Sequence, residues 1–239
     1  MSTTRIRAIF RKELRDYRRN NSIVVAMVIL PLIFLIQPLV QIFSLSASSA
    51  GTLAHKVPLL YMLGIPALVP AALAASTVVT ERQLGTLEPV LTTPIRRDEL
   101  LLAKALAVLA PGLAVSYGVF LVSALAIELF ADPAVASAVL RGPELLAQAL
   151  FTPLVAAWSI WVGIAISSRT RDTRVAQQLS MLASLPMVLV AALIAVDVIH
   201  ASAGLAFALG AALVLFDVQG WRIVSPMLDR ERLIIGSRP

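Results

Sequence analysis

Residues 81–104 read ERQLGTLEPVLTTPIRRDELLLAK, a charged island between two long apolar runs. Its reading decides the fold, because it parts two segments long enough to cross a bilayer while being itself unfit to cross one. Gly85 is suited to ending the preceding helix, Thr86 to capping a new one, Glu88 to the positive end of that helix and Pro89 to its first turn. Pro94 biases Thr93 away from helical angles. The spacing predicts a very short helix over residues 87–92, with Leu87, Val90 and Leu91 on one side. Such a helix has no value as a span.

Outward from this island, apolar segments matching the roughly 20 residues that a bilayer core requires fall at 22–45, 58–80, 100–131, 145–168, 175–198 and 201–220. With 59% hydrophobic residues, 14% charged and a mean hydropathy of +0.87, the chain is too apolar for a soluble domain. The expected fold is therefore an all-α membrane protein of six spans. The last two spans, joined only around Asp197 to Ser202, are expected to form a tight hairpin. Residues 221–239 form the tail.

Ahead of the first span, residues 1–21 place Ile6, Ile9, Phe10, Leu14 and Tyr17 at helical spacing among seven basic residues. That is the pattern of an amphipathic interfacial helix. Ser48-Ser49-Ala50 loosely resembles a signal-cleavage site, but the apolar stretch before it is too long for a signal core.

Basic residues set the orientation. Eighteen of the 20 Lys and Arg fall in the N-terminal segment, the 81–104 loop, the loop after the fourth span and the tail, and only Lys56 and Arg141 fall in the alternate loops. Both termini are expected in the cytoplasm. The net charge of +6 then faces the anionic leaflet of the lipid bilayer, and no nucleic acid partner is implied.

The chain contains no G-x-x-x-x-G-K-[ST] phosphate cradle and no G-x-S-x-G elbow. There is no cysteine, and the two histidines, His55 and His200, lie far apart. Neither catalytic nor metal-ligating residues are proposed, and no cofactor is expected in this chain. Among polar groups within spans, Gln37 and Gln41 share one helix face, where they line a path or bond to a neighbouring helix. Glu128, Asp197 and Asp217 fall near span ends, within reach of water. The prolines inside spans fit either hinges or ordinary membrane-helix packing, and Ala71, Ala72, Ala74, Ala75 and Ser76 suit close helix approach.

Glu81, Arg82, Gly85, Thr86, Leu87, Glu88, Leu91, Thr93 and Pro94 together match a pattern E-R-x-x-G-T-L-E-x-x-L-x-T-P. This resembles the cytoplasmic coupling region of the ABC-2 family of transporter permeases. The likeness continues through Arg97, Glu99 and Lys104, departing at Arg96 and Ala103 where that family usually has a small residue and Gly. The tail sequence from Met227 to Leu233 resembles the family's closing motif without its aromatic.

The resemblance implies a non-enzymatic permease subunit of an ATP-driven exporter in a bacterial or archaeal cell membrane. It implies separate ABC ATPase subunits that carry ATP and Mg, and a second permease, identical or different. The coupling loop would be 81–99, with Gly85, Thr86, Leu87, Glu88, Val90, Leu91, Thr93 and Pro94 as the ATPase-coupling residues. Two other readings stay open: a haem-export permease of cytochrome maturation, with six spans and a related loop, and a membrane scaffold or assembly factor that docks a cytosolic protein.

Overall fold

The computed structural model describes residues 3–44, 57–85 and 97–228. The described residues are helical throughout, with α1 (Thr3–Arg19) and α2 (Asn21–Phe43) leading. A 3-10 helix, Pro58–Leu63, runs directly into α3 (Gly64–Ser76), and α4 (Val79–Gln83) continues the same span. There follow α5 (Arg97–Phe130), α6 (Pro133–Val139), α7 (Gly142–Arg169), α8 (Thr173–Ala195) and α9 (Ala203–Val224), closed by a 3-10 turn at Ser225–Leu228. Six helical segments are long and apolar enough to cross a membrane.

The second span is the axis of the bundle. Its most apolar stretch is wholly buried, and α2, α5, α7 and α8 all pack against α3. The cause is side-chain size: Ala67, Ala71, Ala74 and Ala75 have no exposure, so neighbouring backbones approach α3 closely. The tightest crossing is with α7. A Cβ built on Gly163 would lie 2.5 Å from the Ala74 Cβ and 3.1 Å from the Ala71 carbonyl oxygen, so only glycine fits there. The helices run through Pro31, Pro38, Pro70, Pro111, Pro153 and Pro186.

At Thr77 and Val78 the second span breaks. The hydroxyls of Ser76 and Thr77 donate back to the Leu73 and Ala74 carbonyls, a pattern that loosens a helix. The amides of Val78 and Val79 are taken instead by Ser167 Oγ of α7, at 3.1 Å each. The amides at the break thus keep hydrogen bonds, and the break is held against a second helix.

Three features depart from the sequence reading. The connection between the third and fourth spans contains a helix, α6, whose N-cap Asp132 accepts from the Ala134 amide at 2.9 Å. α1 is docked on protein: it packs on α5 and buries Glu13 and Tyr17, with Phe10 and Leu14 against the core. The last two spans are joined without an intervening helix, as read, yet they are splayed rather than tightly paired, because α8 and α9 each pack on α7 and barely meet. Their connection turns at Asp197, whose φ of 63° is left-handed, and whose Oδ1 lies 2.8 Å from His200 Nδ1.

At 34 residues, α5 rises about 51 Å, well beyond the roughly 30 Å hydrocarbon core. Its first turns, which carry Asp98, Glu99 and Lys104, are the end on which α1 packs.

These packing contacts predict an asymmetry between two helix glycines. Gly163→Ala is expected to lower the thermal unfolding midpoint of the purified protein, at a cost of about 1–3 kcal/mol for overpacking. Gly118→Ala, with nothing within 4 Å of its new Cβ, should leave it unchanged or slightly raised.

Candidate functional site

The described residues that flank 86–96 converge on a single buried charge. Lys104, on the first turns of α5, is 1% exposed. Its Nζ donates to Glu13 Oε1 of α1 at 2.8 Å and to the Thr77 carbonyl at 3.0 Å, and lies 2.9 Å from Glu81 Oε2. Lys12 of α1 holds the other oxygen of Glu81. Two lysines and two glutamates make the cluster neutral, which is what allows charge to be buried at all. The result is one knot joining α1, the break in the second span, α4 and α5.

The knot is extended on both flanks. Arg82 donates to the carbonyls of Ser168 and Thr170 at 3.0 Å each, just where α7 ends. Gln83 donates to the Arg171 carbonyl at 3.0 Å and accepts from Thr173 Oγ1 at 2.8 Å. On the other flank Arg5 of α1 lies 3.7 Å from Glu99, and Ser225 Oγ donates to Asp98 at 2.8 Å. Consequently the N-terminal helix, the α7–α8 turn and the end of α9 are all fastened to one or the other end of the 81–99 loop.

Gly85 has a φ of +66°, the left-handed angle expected of a helix-ending glycine. Thr86, Leu87, Glu88, Val90, Leu91, Thr93 and Pro94 lie outside the described residues. Gln37 and Gln41 are half-buried on α2, and Gln37 Nε2 donates to Gln41 Oε1 at 3.4 Å within the same helix. The two amides are far in sequence from the knot and take no part in its bonds.

Sequence reasoning missed Glu13 and the partner roles of Lys12, Glu81, Arg82 and Lys104. One signal was present: Glu13 and Tyr17 lie four residues apart, in helical register with Ile6 and Phe10. The Tyr17 hydroxyl is buried with no hydrogen-bond partner among the described residues. Burial, and then the Glu13, Glu81 and Asp16 carboxylates, push its phenol well above the usual tyrosine range, so it remains neutral.

A helical bundle with six helices long and apolar enough to cross a membrane, a docked leading helix and a charged knot at the flanks of one inter-span loop defines a multi-pass membrane protein. The family model described as ABC-2 family transporter protein matches residues 7–222, and the chain belongs to that family. It is thus the membrane permease component of an ABC transporter, a class that works with ABC ATPase partners. Comparison with curated proteins gives no match.

Removing Lys104 alone would leave Glu13 and Glu81 facing each other without their buried cation. Lys104→Met is therefore expected to destabilise the protein by about 3–5 kcal/mol and to expose α1 to limited proteolysis. Adding Glu13→Gln and Glu81→Gln should restore much of the loss. Tyr17→Phe, which deletes only an unpartnered hydroxyl, should be neutral or stabilising by about 1 kcal/mol, read as a thermal shift.

Proposed function

We propose that this permease is driven through the 81–99 loop by a separate ABC ATPase, that it works as an exporter, and that it pairs with a second permease. The observation that carries the reading is the Lys104 knot. A partner that pushed on residues 87–92 would push on a rigid assembly, since both flanks of the loop are tied through Glu81, Glu13, Lys12 and Lys104 to α1, and through Arg82 and Gln83 to the α7–α8 turn. The break at Thr77–Val78 lies directly above the knot and supplies a point where the second span can bend without losing its amide bonds. Movement at the loop would then reach the axis of the bundle.

Transport on this account is conformational. ATP and Mg act on the partner, and nucleotide shifts the permease between two states only because the partner binds one of them better. The surface of α1 opposite the knot carries a groove lined by Arg11, Arg15, Arg18 and Arg19, suited to the phosphates of an anionic leaflet. This agrees with the reading that both termini lie in the cytoplasm, of a bacterial or archaeal cell by family likeness. The export direction rests on family likeness.

Docking would be dominated by apolar burial. Leu87, Val90 and Leu91 would each contribute on the order of 1–3 kcal/mol on entering a partner cleft. Leu87→Asp or Leu91→Asp is expected to abolish co-purification of the ATPase and transport in sealed vesicles, with membrane insertion intact. Glu88→Ala should weaken coupling more than binding. Gly85→Val should also uncouple, because a β-branched residue resists a φ of +66°. Wild-type retention and transport with both leucines replaced would show that the loop is not the transmission element. Reporter fusions at Pro239 and within 86–96 should read cytoplasmic, and those at Ser49 and Pro133 external; a cytoplasmic signal at Ser49 would overturn the orientation.

A further inference from the structure

The splay of α8 and α9 leaves a cleft of about 550 Å³ between them, α7 and the 3-10 helix Pro58–Leu63, within the range of small-molecule sites. Along α7 the cleft extends from Glu144 to Trp158, a rise of about 21 Å, more than half the thickness of a roughly 30 Å hydrocarbon core. At its floor, Trp158 and Phe216 meet with ring centroids 5.3 Å apart, pinning α9 to α7. Above them the walls are apolar, with Phe151, Met187, Ile194 and Leu209 among the residues exposed to the space. The cleft is therefore narrow, deep and greasy, and it runs from mid-membrane toward the end of the bundle remote from α1.

Glu144, two residues into α7, lies at the upper end of this cleft and is the one carboxylate among the residues lining it. It is only 6% exposed, and its Oε2 is buried with no hydrogen-bond partner among the described residues. A buried carboxylate oxygen without a donor, at the head of an apolar slot, is complementary to a molecule with a hydrocarbon tail and an N–H-bearing cationic head. The Arg141 guanidinium, three residues earlier, is near enough to act on Glu144 electrostatically. A cation followed by a carboxylate is in turn complementary to a phosphate joined to an amine.

We propose that this cleft binds an amine-bearing phospholipid of the leaflet remote from α1, with one acyl chain between α8 and α9, its ammonium on Glu144 and its phosphate toward Arg141. The bilayer is the source because the walls of the cleft belong mainly to spans, and the facing helix α9 is the least enclosed of the six, with only 6% of its most apolar stretch buried. Choline lipids have a tail that fits but no N–H to donate, so the carboxylate would discriminate against them. The proposal rests on the chain being a bilayer-embedded permease and is independent of the coupling loop.

The test uses Trp158 as the reporter. The full chain carrying Trp161→Phe and Trp221→Phe, which leaves Trp158 as its single tryptophan, is reconstituted in vesicles. The vesicles contain phosphatidylethanolamine or phosphatidylcholine brominated in one acyl chain, each titrated against its unbrominated form. Quenching of Trp158 is expected in both, with apparent affinity about tenfold higher for the ethanolamine lipid, as one charge-assisted hydrogen bond would give. Glu144→Gln should abolish that preference while leaving the quenching itself, and Ala212→Phe, which fills the cleft, should reduce quenching by both lipids.

Equal affinity for the two lipids, unaltered by Glu144→Gln, would overturn headgroup recognition. Absence of quenching by either lipid would overturn the site itself, and disulfide cross-linking of Leu209→Cys between two copies would then identify protein as the occupant. The chain has no cysteine of its own to confuse that readout. None of these measurements requires the ATPase. Loss of lipid quenching with ATPase retention intact would fault only the cleft, and the reverse would fault only the coupling mechanism.

Discussion

The structure depends on a single buried cation. Lys104 is carried on the first turns of α5, and every one of its close partners comes from another part of the fold: Glu13 from α1, Thr77 from the break in the second span, and Glu81 from α4. An ammonium withdrawn from water costs several kcal/mol unless it is met by carboxylates and carbonyls in good geometry. The three segments must therefore be in place together or not at all. A buried ionic cluster is a poor source of net stability, but it is a demanding one, since few other arrangements of these helices bring two glutamates and a carbonyl to one ammonium. Its value here is in fixing how the segments around the 81–99 loop sit relative to one another.

This constraint explains why a helix that reads as membrane-surface material is docked on protein. α1 has seven basic residues, but Glu13 and Tyr17 face α5, and Phe10 and Leu14 pack beside them. Arg11, Arg15, Arg18 and Arg19 line a groove on the outer face, suited to lipid phosphates. The helix is thus amphipathic in two senses, with one face committed to the knot and the other available to the leaflet. In the same way the second span serves the packing of its neighbours through small residues and serves the knot through the Thr77 carbonyl and Glu81.

At the opposite end of the bundle the organising principle is reversed. There the helices are held apart, because aromatic contacts fasten α9 to α7 at Trp158–Phe216 and at Trp161–Trp221, the latter pair 5.7 Å apart and edge-on. Above that level no such pair among the described residues draws α9 toward α8, and the connection through Asp197 and His200 is long enough to leave them apart. One end of the molecule is therefore tied by charge and the other left open along apolar walls.

Hydropathy and length alone determined the six spans, because the cost of an unpaired peptide group in lipid makes a long apolar run helical almost regardless of its neighbours. The left-handed Gly85 was equally legible, since it depends on local backbone sterics. The short helix α6 was missed, although Asp132 followed by Pro133 is a helix start that the sequence displays. What only the tertiary structure decided were the pairings: that Lys104 meets Glu13 across 91 residues, that Ser167 supplies the amides of the broken second span, and that Glu144 lies at the head of a cleft. Each of these depends on which helices are neighbours and at what rotation, and a periodic apolar pattern leaves that undetermined, because lipid and protein are about equally good solvents for leucine and alanine. Charge, hydroxyls and glycine decide it, and they act only once the helices have met.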